Sequence, residues 1–177
     1  MLPYLFVLIA ALWRVIMAPF PSLLGFTPVA ASLLFFGARM ERKRMWIPLV
    51  MLIGSDLYLT YQFYGYKLTA DEFATWAWYA AALGLGTFLK ENSRPIRLVG
   101  TSLAASVSFF LVSNFAVWLV WNTYPKTLAG LVQCYTVGLP FFRHSVAGDL
   151  VFTAAFFGLP ALIANWRHAE EAKVIAP

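Results

Sequence analysis

The sequence is poor in charged residues, cysteine and histidine. Only 12% of its 177 residues are Asp, Glu, Lys or Arg, whereas soluble domains carry about 25%. The single cysteine, Cys134, excludes a disulfide within the chain, and together with two histidines it does not supply the four ligands of a structural zinc site. Nucleophile-elbow, zinc-protease, Walker and dinucleotide-binding motifs are also absent. The sequence therefore predicts no enzyme, no cofactor and no metal site.

Apolar residues take the place of the missing charges. The chain is 61% hydrophobic and 18% aromatic, and its mean hydropathy is +0.72. This composition is typical of an integral membrane protein, in which Trp and Tyr anchor helix ends at the lipid interface. We expect one all-α transmembrane domain over residues 1–177, with its first helix retained. The net charge of +5 is then explained by basic cytoplasmic loops, and we expect no nucleic-acid partner.

Long apolar runs separated by Pro, Gly or charged residues predict a bundle of six transmembrane helices. The predicted helices cover residues 2–18, 26–38 (short for a span), 46–64, 72–89, 98–121 and 146–165. In the outer loop between helices five and six, residues 127–137 predict an interfacial helix that would act as a lid. A mixed-charge tail follows from residue 166. Small residues four apart, such as Ala82/Gly86 and Gly100/Ala104, favour close packing of helices four and five.

Basic residues orient these helices. Nine Lys and Arg fall on one side of the six-helix arrangement, in the loops at 39–44 and 90–97 and in the tail, whereas only Lys67, Lys126 and Arg143 fall on the other. The positive-inside rule therefore places both termini in the cytoplasm. The basic run at 39–44 could also bind anionic membrane lipid or an acidic partner.

Three charged residues interrupt the predicted spans: Arg14, Asp56 and Asp149. A charge at the bilayer centre costs at least about 2.5–3.5 kcal/mol, so such groups usually pair or line a pathway. Depth along the helices predicts that all three meet Asn114 in the outer half of the bundle. They could form a bridge that only locks helices together, a pocket for a polar ligand, or a relay for protons or ions.

Aromatic residues cluster in the stretch between helices five and six. Trp118, Tyr124, Tyr135 and Phe142 could form an interfacial belt, or they could form the apolar wall of a site for a ring-containing ligand. Cys134 lies among them. It could be a small buried residue, a soft-metal ligand or the nucleophile of an intramembrane enzyme.

Four blocks of sequence carry a family resemblance. The first runs from Arg14 through 18–21 to Gly25-Phe26-Thr27-Pro28-Val29-Ala30-Ala31. The second covers residues 113–118, the third 124–131 with 134–135 and 139–143, and the fourth 148–150. They resemble an uncharacterised family of small bacterial inner-membrane proteins that is similar to the S components of energy-coupling-factor vitamin transporters. Two positions depart from that pattern. Gly25 replaces the usual Asn, and Arg14 interrupts the small-residue patch of the first helix.

The resemblance implies an S-component-like bundle in the inner membrane that binds a small micronutrient or vitamin from the outer side. It also implies a transmembrane coupling subunit with ATPases as partner. We expect polar ligand contacts from Arg14, Asp56, Asn114, Arg143 and Asp149, and other contacts from Trp118, Tyr124, Cys134, Tyr135 and Phe142. The alternative is a membrane scaffold or assembly protein that does not transport and whose charges are only structural.

Overall fold

The described chain is built from α-helices. The structure is a computed structural model that describes residues 1–20, 25–90 and 93–175. Within these residues there are six α-helices and no strand: α1 Leu2–Met17, α2 Val29–Arg39, α3 Trp46–Tyr58, α4 Ala70–Thr87, α5 Pro95–Val120 and α6 Leu128–Ile175. A short 3-10 turn, Arg42–Arg44, precedes α3, and a π-helical segment, Leu59–Phe63, follows α3 directly. The all-α prediction is confirmed.

The short helix α2 lies at the centre of the bundle. Every residue from Val29 to Ala38 is buried, and α2 packs against α1, α4, α5 and α6. Its sequence, VAASLLFFGA, contains one polar side chain, and Ser32 satisfies its hydroxyl by donating to the Val29 carbonyl at 2.8 Å. A helix that is apolar on all sides is suited to an interior position. The predicted short second helix is therefore a core element that its neighbours cover completely.

Glycine allows α2 and α4 to approach closely. A Cβ on Gly37 would collide with the carbonyl oxygen of Leu83, and a Cβ on Gly86 would collide with that of Leu34. The two backbones are thus in direct contact at this crossing, as small residues permit. Gly86 was expected to face helix five, so that part of the packing prediction is wrong. Periodic small residues identify a close-packing face, but they do not identify the partner helix.

The length of α6 contradicts three predictions. Residues 128–175 form one helix with Pro140 and Pro160 in its interior, so the separate lid helix at 127–137, the loop up to residue 145 and most of the predicted tail are wrong. Residues 176–177 of that tail lie outside the described residues. Proline is tolerated inside apolar helices when neighbouring groups satisfy the freed carbonyl. Arg143, predicted in an outer loop, lies within α6 and is exposed.

Two helical stretches of the described chain are long and apolar enough to cross a membrane. They are α5 and the Leu128–Ile163 part of α6, in which an 18-residue segment has a mean hydropathy of 2.0 and 1.8, respectively. A six-span bundle is not confirmed, because α2 has only 11 residues and at about 1.5 Å per residue covers roughly half of a ~30 Å hydrocarbon core. The exposed face of α5 is an apolar row at four-residue intervals: Val99, Leu103, Val107, Leu111, Phe115 and Leu119. Such a row is typical of a lipid-facing surface.

Two contacts define the ends of the bundle. At one end, Arg44 donates from Nη1 to the hydroxyl of Tyr4 at 3.3 Å, which joins the turn before α3 to the start of α1. At the other end, the rings of Tyr66 and Trp121 lie 6.5 Å apart, which joins the α3–α4 connection to the end of α5. The α2–α3 connection therefore lies at the end where α1 begins, and the α3–α4 connection lies at the end where α5 stops.

Candidate functional site

A cavity of about 360 Å³ is lined by residues of all six described helices. Four charged residues line it: Arg14, Asp56, Glu72 and Asp149. Aromatic and small residues complete its wall: Gly25, Thr60, Tyr64, Trp76, Trp78, Tyr79, Phe109 and Ser145 among others. The volume falls in the range of roughly 300–1,000 Å³ that small-molecule sites occupy. The cavity can hold a compound of several rings or a ring with a short chain.

Arg14 is the centre of a hydrogen-bonded network that joins three helices. Its Nη2 forms an ion pair with Asp56, and its Nη1 donates to the Tyr79 hydroxyl at 3.0 Å and to the Ser55 hydroxyl at 3.4 Å. Tyr79 donates to Asp56 Oδ1 at 3.3 Å, and the Trp76 indole donates to Asp56 Oδ2 at 2.9 Å. Both carboxylate oxygens of Asp56 and both terminal nitrogens of Arg14 are thus engaged within the protein.

The π-helical segment positions the next part of the site. It begins at Leu59, directly after α3, and it places Leu59 and Thr60 on the cavity wall. Such segments shift the helix register by one residue and often occur at functional sites. The Thr60 hydroxyl donates to Glu72 Oε1 at 3.0 Å. Glu72 Oε2 is shielded from solvent and has no hydrogen-bond donor among the residues that the structure describes.

Asp149 enters the cavity from α6 and is held from α5. It is 6% exposed, and its Oδ2 accepts a hydrogen bond from the Ser106 hydroxyl at 2.6 Å. One helical turn further on, the hydroxyl groups of Thr153 and Ser102 lie 3.4 Å apart. Over the described ranges, no Lys or Arg nitrogen forms an ion pair with Asp149 or Glu72. These two carboxyl groups therefore line the cavity without an ion pair in the described chain.

The structure brings three of the ten predicted site residues to the cavity, namely Arg14, Asp56 and Asp149. The other seven do not line it: Asn114, Trp118, Tyr124, Cys134, Tyr135, Phe142 and Arg143. Asn114 was expected there because of its depth in the predicted fifth helix, and the other six because the end of that helix and the loop up to residue 145 were expected to cover the site. As part of a continuous α6, most of this stretch packs along α5 instead.

Four of these residues lie at the contact between α5 and α6. The Asn114 amide donates to the carbonyl of Phe110, one turn earlier in its own helix, at 2.8 Å. The Cys134 thiol donates to the Asn114 carbonyl at 3.4 Å, and the Tyr135 hydroxyl donates to the Leu111 carbonyl at 2.8 Å. Phe142 extends the contact with its ring 4.6 Å from that of Phe110. Their contacts are those of a helix interface.

Trp118 belongs to the end of α5. Its indole donates to the Pro125 carbonyl at 2.9 Å, and the ammonium of Lys126 lies 5.6 Å from the centre of the Trp118 ring. Lys126 also donates to the carbonyls of Trp118 and Trp121, the latter at 2.6 Å. A cation near the last carbonyls of a helix donates hydrogen bonds to them and interacts favourably with the helix dipole. Tyr124 is half-buried in the same connection.

Sequence reasoning missed the aromatic wall and one carboxyl group of the cavity. Glu72, Trp76 and Tyr79 lie on α4 at intervals of four and three residues, and Trp78 and Phe109 complete the wall. Residues at these intervals share one helix face. A polar and aromatic stripe inside a predicted span was the signal that could have identified them. Among the described residues, no three His, Cys, Asp or Glu side chains group as a metal site.

The fold and this site define a protein that is all-helical over its described residues, with membrane-length helices and a cavity lined by aromatic and charged side chains. The chain belongs to a family of unknown function, DUF6580, whose model matches residues 1–172. No curated protein and no solved structure matches it. The predicted membership of a family without an assigned function is confirmed. The likeness of that family to S components has no support from these comparisons.

Proposed function

We propose that the chain is a substrate-binding protein of the bacterial inner membrane that takes up a small micronutrient or vitamin from the outer side, as S components do. The observation that carries this proposal is the cavity beside the Arg14–Asp56 pair. Protein interiors are close-packed and contain few voids larger than a water molecule. An ion pair that served only to lock helices would need no space of this size beside it.

The position of the cavity supports an outward-facing site. Arg14 lies in the last turn of α1 and Glu72 in the first turn of α4, so the cavity is at the end opposite the Tyr4–Arg44 contact. The positive-inside rule assigns the basic turn around Arg44 to the cytoplasm. In a six-span arrangement with both termini inside, the site then lies near the outer surface.

The partner follows from what the chain lacks. No nucleotide-binding motif is present in the sequence, so concentrative uptake needs a transmembrane coupling subunit with ATPases or another source of energy. The exposed apolar faces of α1 and α5 offer surface for membrane lipid and for such a subunit. A membrane scaffold is the alternative, and it predicts that the cavity binds no ligand.

Ligand-dependent stabilisation of the purified protein in detergent tests the proposal. A ligand at a hundredfold excess over its Kd raises the free energy of unfolding by about 2.7 kcal/mol. We expect at least one compound of a vitamin panel to raise the Tm, and we expect Asp149→Ala to abolish the shift. Glu41→Ala is the control, because Glu41 is exposed and its ion pair is with Lys43 on the surface. A panel without any shift contradicts the proposal and favours the scaffold.

A further inference from the structure

We infer that the cavity takes an organic cation, a flat ring that carries a protonated amine or is itself charged, with Glu72 and Asp149 as its counter-charges. This inference rests on the proposed function and names the class of its ligand. It follows from the charge balance of the cavity, from the donors and acceptors that its wall leaves free, and from its aromatic rings.

The charge balance of the cavity is negative. Among its charged residues, one guanidinium faces three carboxyl groups, and Asp56 already neutralises Arg14. Glu72 and Asp149 remain without an ion pair in the described chain. Even if one of the two binds a proton, the cavity keeps an excess of negative charge. A buried carboxylate is stable when a cation or several donors face it, and a cationic ligand supplies both.

The hydrogen-bonding groups point to the same class of ligand. Most strong donors of the wall are engaged within the protein, because Arg14 donates to Tyr79 and Ser55 and Trp76 donates to Asp56. The indole of Trp78 also donates within the protein, to the Ser108 hydroxyl at 3.0 Å. The acceptor Oε2 of Glu72, in contrast, has no donor in the described residues. The site therefore accepts hydrogen bonds, and its complement is a molecule that donates them.

Ring surfaces and size favour an organic cation over a bare metal ion. The rings of Trp76, Trp78, Tyr79 and Phe109 line the cavity, and aromatic faces within about 6 Å attract ammonium and guanidinium groups. A water molecule takes up about 30 Å³ of the liquid, so an ion with about six waters would fill only about half of the roughly 360 Å³. A planar ring with a positive group fills the space and meets both the rings and the carboxylates.

A ring-matched series tests the inference on the full chain in detergent. Tryptamine, ethylindole and indole propionate share one ring and differ in charge: positive, neutral and negative. We expect tryptamine to bind with a Kd at least about tenfold lower than indole propionate, because one charge-assisted hydrogen bond accounts for a tenfold change or more. Equal or tighter binding of the carboxylate overturns the inference. An equal response to sodium or magnesium chloride alone overturns it as well.

Charge-removing variants of the two cavity carboxylates test whether they bind the ligand cation. Glu72→Gln and Asp149→Asn keep the side-chain shape and remove the charge, and each is expected to raise the Kd of tryptamine by about tenfold or more. Glu41→Gln is the matched surface control and should leave it unchanged. An unchanged Kd in both cavity variants overturns the inference. If an anionic or neutral vitamin binds instead, the proposed function stands and only the ligand class is wrong; if neither panel gives binding, both are wrong.

Discussion

The guanidinium of Arg14 is in contact with the carboxylate of Asp56, and both side chains border the same cavity. The two side chains are 21% and 8% exposed, so the pair is largely removed from solvent. Tyr79 and Trp76 add hydrogen bonds from α4. One network therefore fixes α1, α3 and α4 around the space in which we propose that a ligand binds.

Removal of Arg14 should be costly for stability. In Arg14→Met the carboxylate of Asp56 keeps its burial and loses its counter-charge, and breaking a buried pair in this way costs about 3–5 kcal/mol. We expect the low end of that range, because solvent in the cavity screens the remaining charge. Unfolding of the purified protein in mixed micelles measures the change in free energy.

The exposed pair Lys43–Glu41 is the control for that experiment. Its side chains are 73% and 65% exposed, and surface pairs contribute about 0–1 kcal/mol. Lys43→Met should therefore be nearly neutral, and adding Asp56→Asn to Arg14→Met should restore part of the lost stability. Similar losses in Arg14→Met and Lys43→Met would mean that the buried network does not hold the helices together.

Gly37 should not tolerate even one additional carbon. A Cβ at this position would collide with the backbone carbonyl of Leu83, which cannot move without displacing α4. Overpacking of this kind costs about 1–3 kcal/mol, so we expect Gly37→Ala to lower the free energy of unfolding by that amount. Gly84→Ala is the matched control on α4, since nothing lies within 4 Å of its added Cβ.

The two glycine variants should change stability in opposite directions. Alanine is favoured over glycine inside a helix by about 1 kcal/mol, so Gly84→Ala should be neutral or stabilising in the same unfolding experiment. If Gly37→Ala were as stable as the unchanged protein, the close crossing of α2 and α4 would be refuted.

Cys134 should react slowly with thiol reagents in the folded protein. It is 2% exposed and its thiol donates to a backbone carbonyl of α5. We therefore expect maleimide to label Cys134 at a significant rate only when the protein unfolds. In a Cys134→Ala background, Asn122→Cys places a thiol on an exposed position of the connection before α6, outside the apolar stretch, and should label quickly. Equal rates would contradict the burial of Cys134. If Cys134→Ala lost the ligand-dependent increase in Tm, this result would support a catalytic or metal-binding role for the Cys134 thiol.

Membrane topology can be measured with single cysteines introduced into the Cys134→Ala variant, which has no other cysteine. If both termini are cytoplasmic, Lys67→Cys lies outside and Arg42→Cys lies inside. A membrane-impermeant maleimide should then label Lys67→Cys in intact cells, whereas Arg42→Cys should be labelled only after permeabilisation. The reverse pattern would overturn the outward orientation of the cavity, and labelling of both positions in intact cells would overturn the six-span arrangement.

Sequence reasoning worked best where apolar runs end at charged residues. The predicted helix at 98–121 corresponds to Pro95–Val120 in the structure, because length and hydropathy determine such a helix. It failed at Gly138 and Pro140, where local turn signals indicated a break. A Cβ on Gly138 would collide with the Asn114 side chain, so the glycine serves helix packing and the helix continues. Tertiary contacts of this kind cannot be read from local propensity.

The site was predictable only in part for a related reason. Arg14, Asp56 and Asp149 were identifiable because a charge within an apolar run is energetically expensive. Glu72 lies in the first turn of α4. Acidic residues are common at this position, because a negative charge interacts favourably with the N-terminal end of the helix dipole. Trp76 has the appearance of an interfacial anchor, and only the three-dimensional arrangement shows that it donates to Asp56.

The complete burial of α2 bears on how the protein is made. With 11 residues, this segment is too short for the insertion machinery to recognise as a span on its own. In a membrane it has to remain beside α1 until α4, α5 and α6 have left the ribosome and can enclose it. The centre of the bundle is therefore completed last, and truncated chains that end before α6 should be targets for membrane quality-control proteases.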